Sequence, residues 1–442
     1  MNNAQPIIQQ ATKHQQFHVP LTKGGPACWQ AGATRFVSRR GLNILLLALL
    51  MLSSRISAQH LTITVTNPSS LARQDEPVVV EWARIISKLA NARQSTLRIV
   101  DDAGRWYVYQ ADDIDQNGTP DEVVWLADFA PKQSRTFTMR DTTEQFSGAS
   151  HLAVSTDAQN WKRVDGVLLS LDDDDGPGLK RDQTLYRFDG VGWESELVGY
   201  RVYLDERNAV DIQAKRRRGL QWKFIGSTLI DYQQNTDWGM DPLHVGPSLG
   251  VGGIAFWVGD SVHKPLTLDR RRSRIIARGP VRAVVRVDYY GWDVGGEKAD
   301  VSSVFTIYAG ERVMEHRVIL HNGAARTLVT SIVKHDSSSV VWNPDHGRLT
   351  STGKQSRAGD ELFMDLQFSS KSIVEKAEDK YNDLVLIKLE PGKPLRFLIS
   401  SVWEGETGKM WSVEELREMQ KRNAARLNLP LAIELREEKK GL

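Results

Sequence analysis

The feature that most constrains the fold is an alternation of apolar and polar residues with a period of two. In residues 281–289 every second side chain is apolar or aromatic, and Arg282, Arg286 and Asp288 fall between them. This is the pattern of a strand with one face in a core. Similar β-rich segments occupy residues 61–65, 78–82, 197–204, 301–309 and 313–320. Their number and spacing predict an all-β fold built from sandwiches or a barrel.

Turn signals and one helix complete the expected secondary structure. Pairs typical of turns separate the strands at Asn117-Gly118, Gly252-Gly253, Gly295-Gly296 and Asn322-Gly323. Late in the chain, Ser412 and Glu415 have the spacing of a capping box. Apolar positions continue to residue 427, and a final strand is expected over residues 431–435.

The N-terminal segment has the order of a secretory signal. Arg35, Arg39 and Arg40 precede an apolar run over residues 42–52, and a short segment that ends in the small residues Ser57 and Ala58 follows. The run is too short to cross a bilayer, which needs about 20 residues. We therefore expect cleavage after Ala58 and a bacterial protein that is periplasmic or secreted.

Removal of this segment changes the charge of the chain. Residues 1–58 contain six basic and no acidic residues, so the net charge of +2 becomes −4 (2 − 6). The positive net charge of the whole sequence therefore does not indicate nucleic-acid binding. Cys28, the single cysteine, lies in the same segment. We expect no disulfide, no nucleic-acid partner and no stable membrane anchor in the mature chain.

The mature chain of 384 residues (442 − 58) is long enough for two domains. We expect a leader and signal peptide over residues 1–58 and a small N-terminal β-sandwich over residues 59–145. A linker or insert follows over residues 146–185, with an acidic run at residues 172–175. A large β-sandwich domain takes up residues 186–442.

A loop at residues 113–121 has the spacing of a calcium site. Oxygen donors recur at every second position, and Gly118 permits the sharp turn that such a loop needs. The candidate metal ligands are Asp113, Asp115, Asn117, Asp121 and the carbonyl of Thr119. Because the flanks are typical of strands and position 12 is Val124 rather than Glu, we expect a β-hairpin and not an EF-hand. Two interpretations remain open, a structural Ca²⁺ site and an Asx-rich turn without metal.

Two segments, at residues 192–215 and 237–253, combine aromatic, acidic and basic side chains as a sugar site does. Aromatic faces stack on sugar rings, and charged groups bind hydroxyls and uronates. The candidate catalytic residues are Glu194, Tyr200, Arg201, Asp241, His244 and His335. The candidate substrate-binding residues are Trp193, Lys215, Asp237, Trp238, Arg282, Trp403 and Glu404.

The same segments resemble a known bacterial family. The motifs at residues 192–195, 200–203, 237–241, 245–246 and 250–253 resemble the family called domain of unknown function 4861, over about residues 61–435. The resemblance implies an exported protein of bacteria that degrade plant or algal polysaccharides, often encoded beside pectin- and uronate-degrading enzymes. It also implies a large domain similar to the galactose-mutarotase-like β-supersandwich. That fold hosts mutarotases, hydrolases and lyases, so it does not select a reaction.

The leading hypothesis is a carbohydrate-active enzyme that cleaves or processes acidic oligosaccharides, and two mechanisms compete within it. A lyase needs a cation to neutralise a uronate and a base for the C5 proton. The cation would be Arg201, Lys215 or Arg282, and the base His244, His335 or Tyr200. A hydrolase needs two carboxylates about 5–10 Å apart, for which Glu194 and Asp241 are the candidates and Glu404 the reserve.

Two other classes of function fit the same composition. A non-catalytic glycan-binding protein would use tryptophans as stacking platforms, and the candidates are Trp193, Trp238, Trp292 and Trp403. Sugar epimerisation without bond cleavage is a further possibility. The sequence leaves the glycan, its linkage and the oligomeric state open.

Overall fold

The structure is a computed structural model that describes residues 60–90, 92–142, 156–164, 167–176, 186–222, 232–406, 408 and 410–438. Within these residues the chain forms antiparallel β-sheets and two α-helices. The predicted leader and signal peptide, with Cys28, lie outside the described residues. Among the described helices, none has the length and apolar character needed to cross a membrane.

The N-terminal part forms a small sandwich of a five-stranded and a three-stranded sheet, with strand orders β28-β1-β7-β3-β4 and β2-β6-β5. A short helix, α1, spans Trp82–Ile86. The strands are β1 (His60–Thr66), β2 (Arg73–Glu81), β3 (Leu97–Asp101), β4 (Trp106–Tyr107), β5 (Tyr109–Asp112), β6 (Glu122–Phe129), β7 (Ser134–Asp141) and β28 (Ala432–Glu438). Alternate residues of these strands are buried between the two sheets, as the period of two requires.

The larger part consists of three sheets that share one hydrophobic core. A six-stranded sheet has the order β14-β13-β12-β11-β8-β9. Its strands are β8 (Thr156–Val164), β9 (Val167–Ser170), β11 (Tyr186–Ser195), β12 (Val198–Tyr203), β13 (Val210–Lys215) and β14 (Gly239–Met240). A five-stranded sheet has the order β16-β15-β21-β26-β25. Its strands are β15 (Val251–Val258), β16 (Ser261–His263), β21 (Arg326–Val333), β25 (Ile373–Glu378) and β26 (Asn382–Leu389).

The third sheet of this part has nine strands in the order β10-β17-β18-β19-β20-β27-β24-β23-β22. They are β10 (Asp173–Gly176), β17 (Arg270–Arg278), β18 (Arg282–Val294), β19 (Glu297–Tyr308), β20 (Val313–Leu320), β22 (Ser338–Asn343), β23 (Arg348–Gly353), β24 (Leu362–Phe368) and β27 (Leu395–Trp403). The long helix α2 spans Val413–Asn428 and packs against β24. Its N-terminus carries the expected capping box between Ser412 and Glu415. The predicted architecture, an all-β chain with a small and a large sandwich and one long late helix, is confirmed.

Three local expectations differ from the structure. The last strand, β28, pairs with β1 of the N-terminal sandwich, with Leu435 opposite Ile63. Residues 146–185 are not only a linker, because β8, β9 and β10 within them belong to the large sheets. Gly252 and Gly253 lie inside β15 and do not form a turn. Gly252 has φ +84°, and a Cβ there would also meet the Ile399 side chain at 2.1 Å, so the backbone conformation and the close packing both favour glycine.

Candidate functional site

A cleft of about 450 Å³ lies where three loops of the large sandwich meet. One loop follows β14, the second joins β21 to β22, and the third joins β23 to β24. The second loop also carries the chain from the five-stranded to the nine-stranded sheet. The cleft is lined by His244, His335, Asp336, Ser337, Lys354, Gln355, Ser356 and Arg357.

Hydrogen bonds between the loops fix the cleft backbone. The Ser337 hydroxyl donates to the Lys354 carbonyl at 2.8 Å. The Arg357 N–H donates to the Pro242 carbonyl at 2.7 Å and so ties the third loop to the first. Gly353 has φ +132°, and a Cβ there would lie 2.3 Å from the Ser337 carbonyl oxygen. The close approach of the two loops therefore depends on a glycine at this position.

Side-chain hydrogen bonds anchor the third loop to the core of the large sandwich. The Trp403 indole N–H donates to Asp360 at 2.8 Å, and Asp360 also bonds the Ser356 hydroxyl. The Gln355 side chain donates to the Leu362 carbonyl at 2.6 Å. Because these side chains are held, the neighbouring Lys354 and Arg357 project from a fixed backbone.

The cleft has an excess of positive charge. Among its described lining residues, Lys354 and Arg357 are permanent cations and Asp336 is the one carboxylate. His244 is exposed and His335 is half-buried. Burial, and next the electrostatic influence of His244, hold the pKa of His335 below its usual 6.5, so this imidazole is neutral at pH 7. Its Nε2 is buried and has no hydrogen-bond partner among the described residues, which leaves an acceptor or donor to be satisfied.

A buried charge network lies directly behind the cleft. Arg201 has no exposed surface, and its guanidinium bonds Asp211 at 2.5 Å and Asp241 at 3.0 Å. The Tyr203 hydroxyl donates to Asp211 at 2.9 Å. Burial, and next the negative charge of Asp211, raise the pKa of Asp241. Oδ1 of Asp241 lies 3.8 Å from Nε of Arg357, which joins the network to the cleft wall.

The structure places three other predicted catalytic or neutralising residues inside the core. The Lys215 ammonium contacts the Glu194 carboxylate, and both side chains are buried. Glu194 also accepts the backbone N–H groups of residues 221 and 222. Tyr200 has no exposed surface, its hydroxyl donates to the Arg312 carbonyl at 2.8 Å, and burial raises its pKa. Without solvent access, Tyr200, Lys215 and Glu194 do not meet a substrate in this structure.

Arg282 lies at the junction of the two sandwiches and does not line the cleft. Its guanidinium bonds Asp112 at 2.6 Å and Glu122 at 2.7 Å. The alternation in β18 suggested one exposed face, but the N-terminal sandwich covers that face as well. The expected uronate contact of Arg282 is therefore replaced by a structural ion pair.

The predicted stacking residues are mostly buried too. Trp193, Trp292 and Trp403 have at most 1% of their surface exposed. Trp193 stacks on Phe305 with ring centroids 4.5 Å apart. Trp238 is half-buried in a separate aromatic cluster.

The other two predicted substrate-binding residues have different positions. The Asp237 side chain is 92% exposed and only weakly paired with Arg217. The carboxylate of Glu404 accepts the Glu361 N–H at 3.0 Å and holds the third loop. Neither residue lines the cleft.

Of the predicted catalytic residues, the structure brings His244 and His335 together and places Asp241 behind them. Sequence reasoning missed Lys354 and Arg357. They occur in a short polar stretch between Gly353 and Gly359, which is typical of a turn between strands. The stretch itself carries no sign of its partner loop, since residues 335 and 354 come together only through sheet pairing.

The loop at residues 113–121 joins β5 to β6, with Asp112 paired to Glu122, and so forms the expected hairpin. One carboxylate oxygen from each of Asp113, Asp115 and Asp121 lies within 4.8 Å of the others. Asn117 turns its amide towards Asp115, and its own oxygen accepts the Thr119 N–H at 2.9 Å. The spacing and the oxygen-only donor set fit a hard cation such as Ca²⁺.

Comparisons with known proteins place the chain in a family without an assigned activity. The family model described as domain of unknown function (DUF4861) matches residues 65–433, which confirms the resemblance. Comparison with curated proteins finds no match. Two solved structures are similar, a glycosyl hydrolase family 38 protein from Enterococcus faecalis (TM-score 0.37, 9% identity) and an α-mannosidase from Enterococcus faecalis V583 (TM-score 0.37, 8% identity). They align with 87% and 86% of this chain, which spans 48% and 46% of theirs.

Proposed function

This chain belongs to the domain of unknown function 4861 family, and from that premise we propose that it cleaves acidic oligosaccharides by β-elimination in the His244–His335 cleft. The observation that carries the proposal is the meeting of two histidines with Lys354 and Arg357 around one opening. A uronate lyase needs these groups, a cation for the carboxylate and a neutral base for the adjacent carbon.

The residues take distinct roles in this reaction. Arg357 and Lys354 bind the uronate carboxylate and stabilise the negative charge that develops as the C5 proton leaves. Neutral His335 takes that proton. The electron pair of the C5–H bond forms the C4–C5 double bond, and the C4–O bond to the leaving sugar breaks. His244 donates a proton to the departing oxygen, so atoms and charge balance.

The low pKa of His335 supports its role as the base. A base must be unprotonated when substrate arrives, and burial keeps the His335 imidazole neutral at pH 7. Hydrolysis has less support, because Glu194 and Asp241 both have no exposed surface and are already paired with Lys215 and Arg201. Retaining and inverting hydrolases both need their two carboxylates beside the scissile bond.

The setting of this activity is part of the proposal. We place the mature protein in the bacterial periplasm or outside the cell, on the basic, apolar and small-residue order of residues 35–58. We also place a structural Ca²⁺ ion in the hairpin loop, held by Asp113, Asp115 and Asp121. At a Ca²⁺ concentration about 100-fold above Kd the ion would stabilise the fold by about 2.7 kcal/mol. A calcium-dependent Tm that Asp121→Asn abolishes would support the site, and a Tm insensitive to chelator would remove it.

The reaction is tested with purified mature protein and a panel of acidic oligosaccharides. β-Elimination produces an unsaturated uronate, whose absorbance rises with turnover. His335→Gln should lower kcat by about 10²- to 10⁴-fold, the usual effect of losing a general base. His346→Gln is the matched control, because this histidine is exposed and does not line the cleft.

The outcomes separate the competing functions. An absorbance rise lost in His335→Gln and kept in His346→Gln supports the lyase. Reducing sugar without absorbance identifies a hydrolase, and binding without any product identifies a glycan-binding protein. Either of the last two results overturns the proposal.

A further inference from the structure

A second cavity, of about 380 Å³, lies next to the cleft. It is bordered by Pro247, Lys264, Leu266, Asp293, Asp379 and Tyr381, among others. Tyr381 and Leu266 are large side chains with 39% and 58% of their surface exposed. An exposed aromatic ring beside a polar hollow is typical of a surface that stacks on a sugar ring.

One chain segment lines both cavities, and a backbone hydrogen bond links their walls at a second place. On one segment His244 lines the cleft, and Pro247, three residues later, lines the second cavity. Three residues of extended chain span at most about 10 Å, the scale of two linked sugar rings. On the other side the Lys334 N–H donates to the Tyr381 carbonyl at 2.9 Å, so Tyr381 lies beside the residue that precedes His335. The walls of the two cavities therefore approach each other at two places.

The two cavities differ in charge. Lys354 and Arg357 give the cleft its excess of positive charge, with one carboxylate among its described lining residues. In the second cavity the ammonium of Lys264 is accompanied by two carboxylates, Asp293 and Asp379. Such a set of donors and acceptors suits hydroxyl groups, whereas a uronate carboxylate would meet the two acidic side chains.

Lys264 is held in place for hydrogen bonding. Its ammonium donates to the Pro247 carbonyl at 2.8 Å and to the Ser248 carbonyl at 3.1 Å. An ammonium group has three N–H bonds, so one remains for a ligand hydroxyl. Burial lowers the pKa of Lys264 to about 8, which leaves most of it protonated at pH 7. Asp379 is fixed by the N–H groups of Tyr381 and Asn382 at 2.7 Å each.

We propose that the second cavity is a subsite for an uncharged sugar, and that the substrate therefore carries a neutral sugar next to the uronate held in the cleft. This inference rests on the proposed function and extends it to the composition of the substrate. Tyr381 stacks on the neutral ring, while Lys264 donates to one of its hydroxyls and Asp293 accepts from another.

The experiment compares two probes by calorimetry and initial rates. One is a tetra-uronate, and the other is a tetrasaccharide in which uronates alternate with neutral hexoses. Wild type should bind the alternating probe at least 10-fold more tightly. Tyr381→Ala should lose most of this preference with little change for the tetra-uronate, and Tyr381→Phe, which keeps the ring, should retain it.

Equal affinity for both probes in wild type, or an unchanged preference in Tyr381→Ala, would overturn the subsite. Failure of the proposed function gives a different pattern. In that case neither probe forms an unsaturated product, yet the preference for the alternating probe and its dependence on Tyr381 persist. The subsite then stands as part of a glycan-binding surface.

Discussion

Nε of Arg357 lies 3.8 Å from the buried Asp241 carboxylate, so the wall of the cleft is in electrostatic contact with the core. About a quarter of the Arg357 side chain is exposed, and its backbone N–H bonds the Pro242 carbonyl next to Asp241. Arg357 thus combines a fixed position with access to a ligand. A guanidinium in this position is prepared to bind a carboxylate with little loss of side-chain entropy.

Arg357→Ala should weaken binding of acidic oligosaccharides. Loss of a hydrogen-bonded cation costs about 2 kcal/mol, which corresponds to about a 30-fold increase in Kd or KM. The backbone bond from residue 357 to Pro242 remains, so the loop should keep its position. Calorimetry with a uronate oligosaccharide measures the change. Arg422→Ala, on the exposed face of α2, should leave Kd unaltered, and equal Kd values for the two variants would contradict the role of Arg357.

The pH dependence of activity should report the buried environment of His335. A base acts only when it is unprotonated, so kcat/KM should fall as pH drops through the pKa of His335. Burial and the electrostatic influence of His244 hold that pKa below 6.5, so the rate should persist into mildly acidic solution. The measurement is kcat/KM between pH 4 and 8. An acid limb centred above 6.5, or one that survives in His335→Gln, would assign the base elsewhere.

Arg201 should matter for stability and not as a substrate contact. Its removal leaves Asp211 and Asp241 buried without their cation, and such a loss costs about 3–5 kcal/mol. We expect this decrease in the unfolding free energy of Arg201→Met by urea denaturation. Arg217→Met is the matched control, since Arg217 and Asp237 have side chains that are 70% and 92% exposed. An exposed pair contributes about 0–1 kcal/mol, so similar losses in the two variants would contradict a structural role for Arg201.

The sequence indicated which segments form strands more reliably than which strand faces are exposed. Alternation in residues 313–320 matches β20, because the period of two is set by the local chain. Alternation also suggested an exposed face at Arg282, yet packing against a distant sandwich buries it. The aromatic and charged side chains of residues 193–201 also have the composition of a sugar site. In the structure Trp193, Tyr200 and Arg201 are buried. Composition does not distinguish a buried ion pair from an open cleft.

The cleft itself depends on long-range pairing. His244 and His335 are titratable residues 91 positions apart in the sequence, and their meeting with Lys354 and Arg357 arises from three separate loops. The pairing of β22 with β23 brings the second and third loops together, and the bond from the Arg357 N–H to the Pro242 carbonyl ties the first loop to the third. The pairing of β28 with β1 is also non-local. The residues of β28 indicate a strand, but they do not indicate which strand lies beside it.

Asp365 gives a prediction on folding that is independent of the proposed reaction. It lies on β24 without exposed surface and accepts hydrogen bonds from Thr350 at 2.6 Å and Gln420 at 2.8 Å. Its second oxygen has no partner among the described residues. Burial raises its pKa from 3.8 to about 6, because a charged carboxylate in this site is not fully compensated.

The buried Asp365 carboxyl makes the free energy of unfolding depend on pH. Between pH 3.8 and about 6 the folded state holds a proton on Asp365 that the unfolded state has lost. The stabilisation is therefore complete below pH 3.8 and is lost as pH rises through 6. A raised pKa of this size corresponds to about 3 kcal/mol.

Asp365→Asn should remove this pH dependence, because the amide stays neutral at every pH and can still accept from Thr350 and Gln420. The unfolding free energy of wild type minus that of the variant should decrease by about 2.4 kcal/mol between pH 4 and pH 7. Urea denaturation at four pH values measures the difference. Asp237→Asn, at a side chain that is 92% exposed, should give a nearly constant difference over the same range. A constant difference for Asp365→Asn as well would mean that this carboxyl is charged in the folded protein, and that the β24–α2 contact compensates its burial.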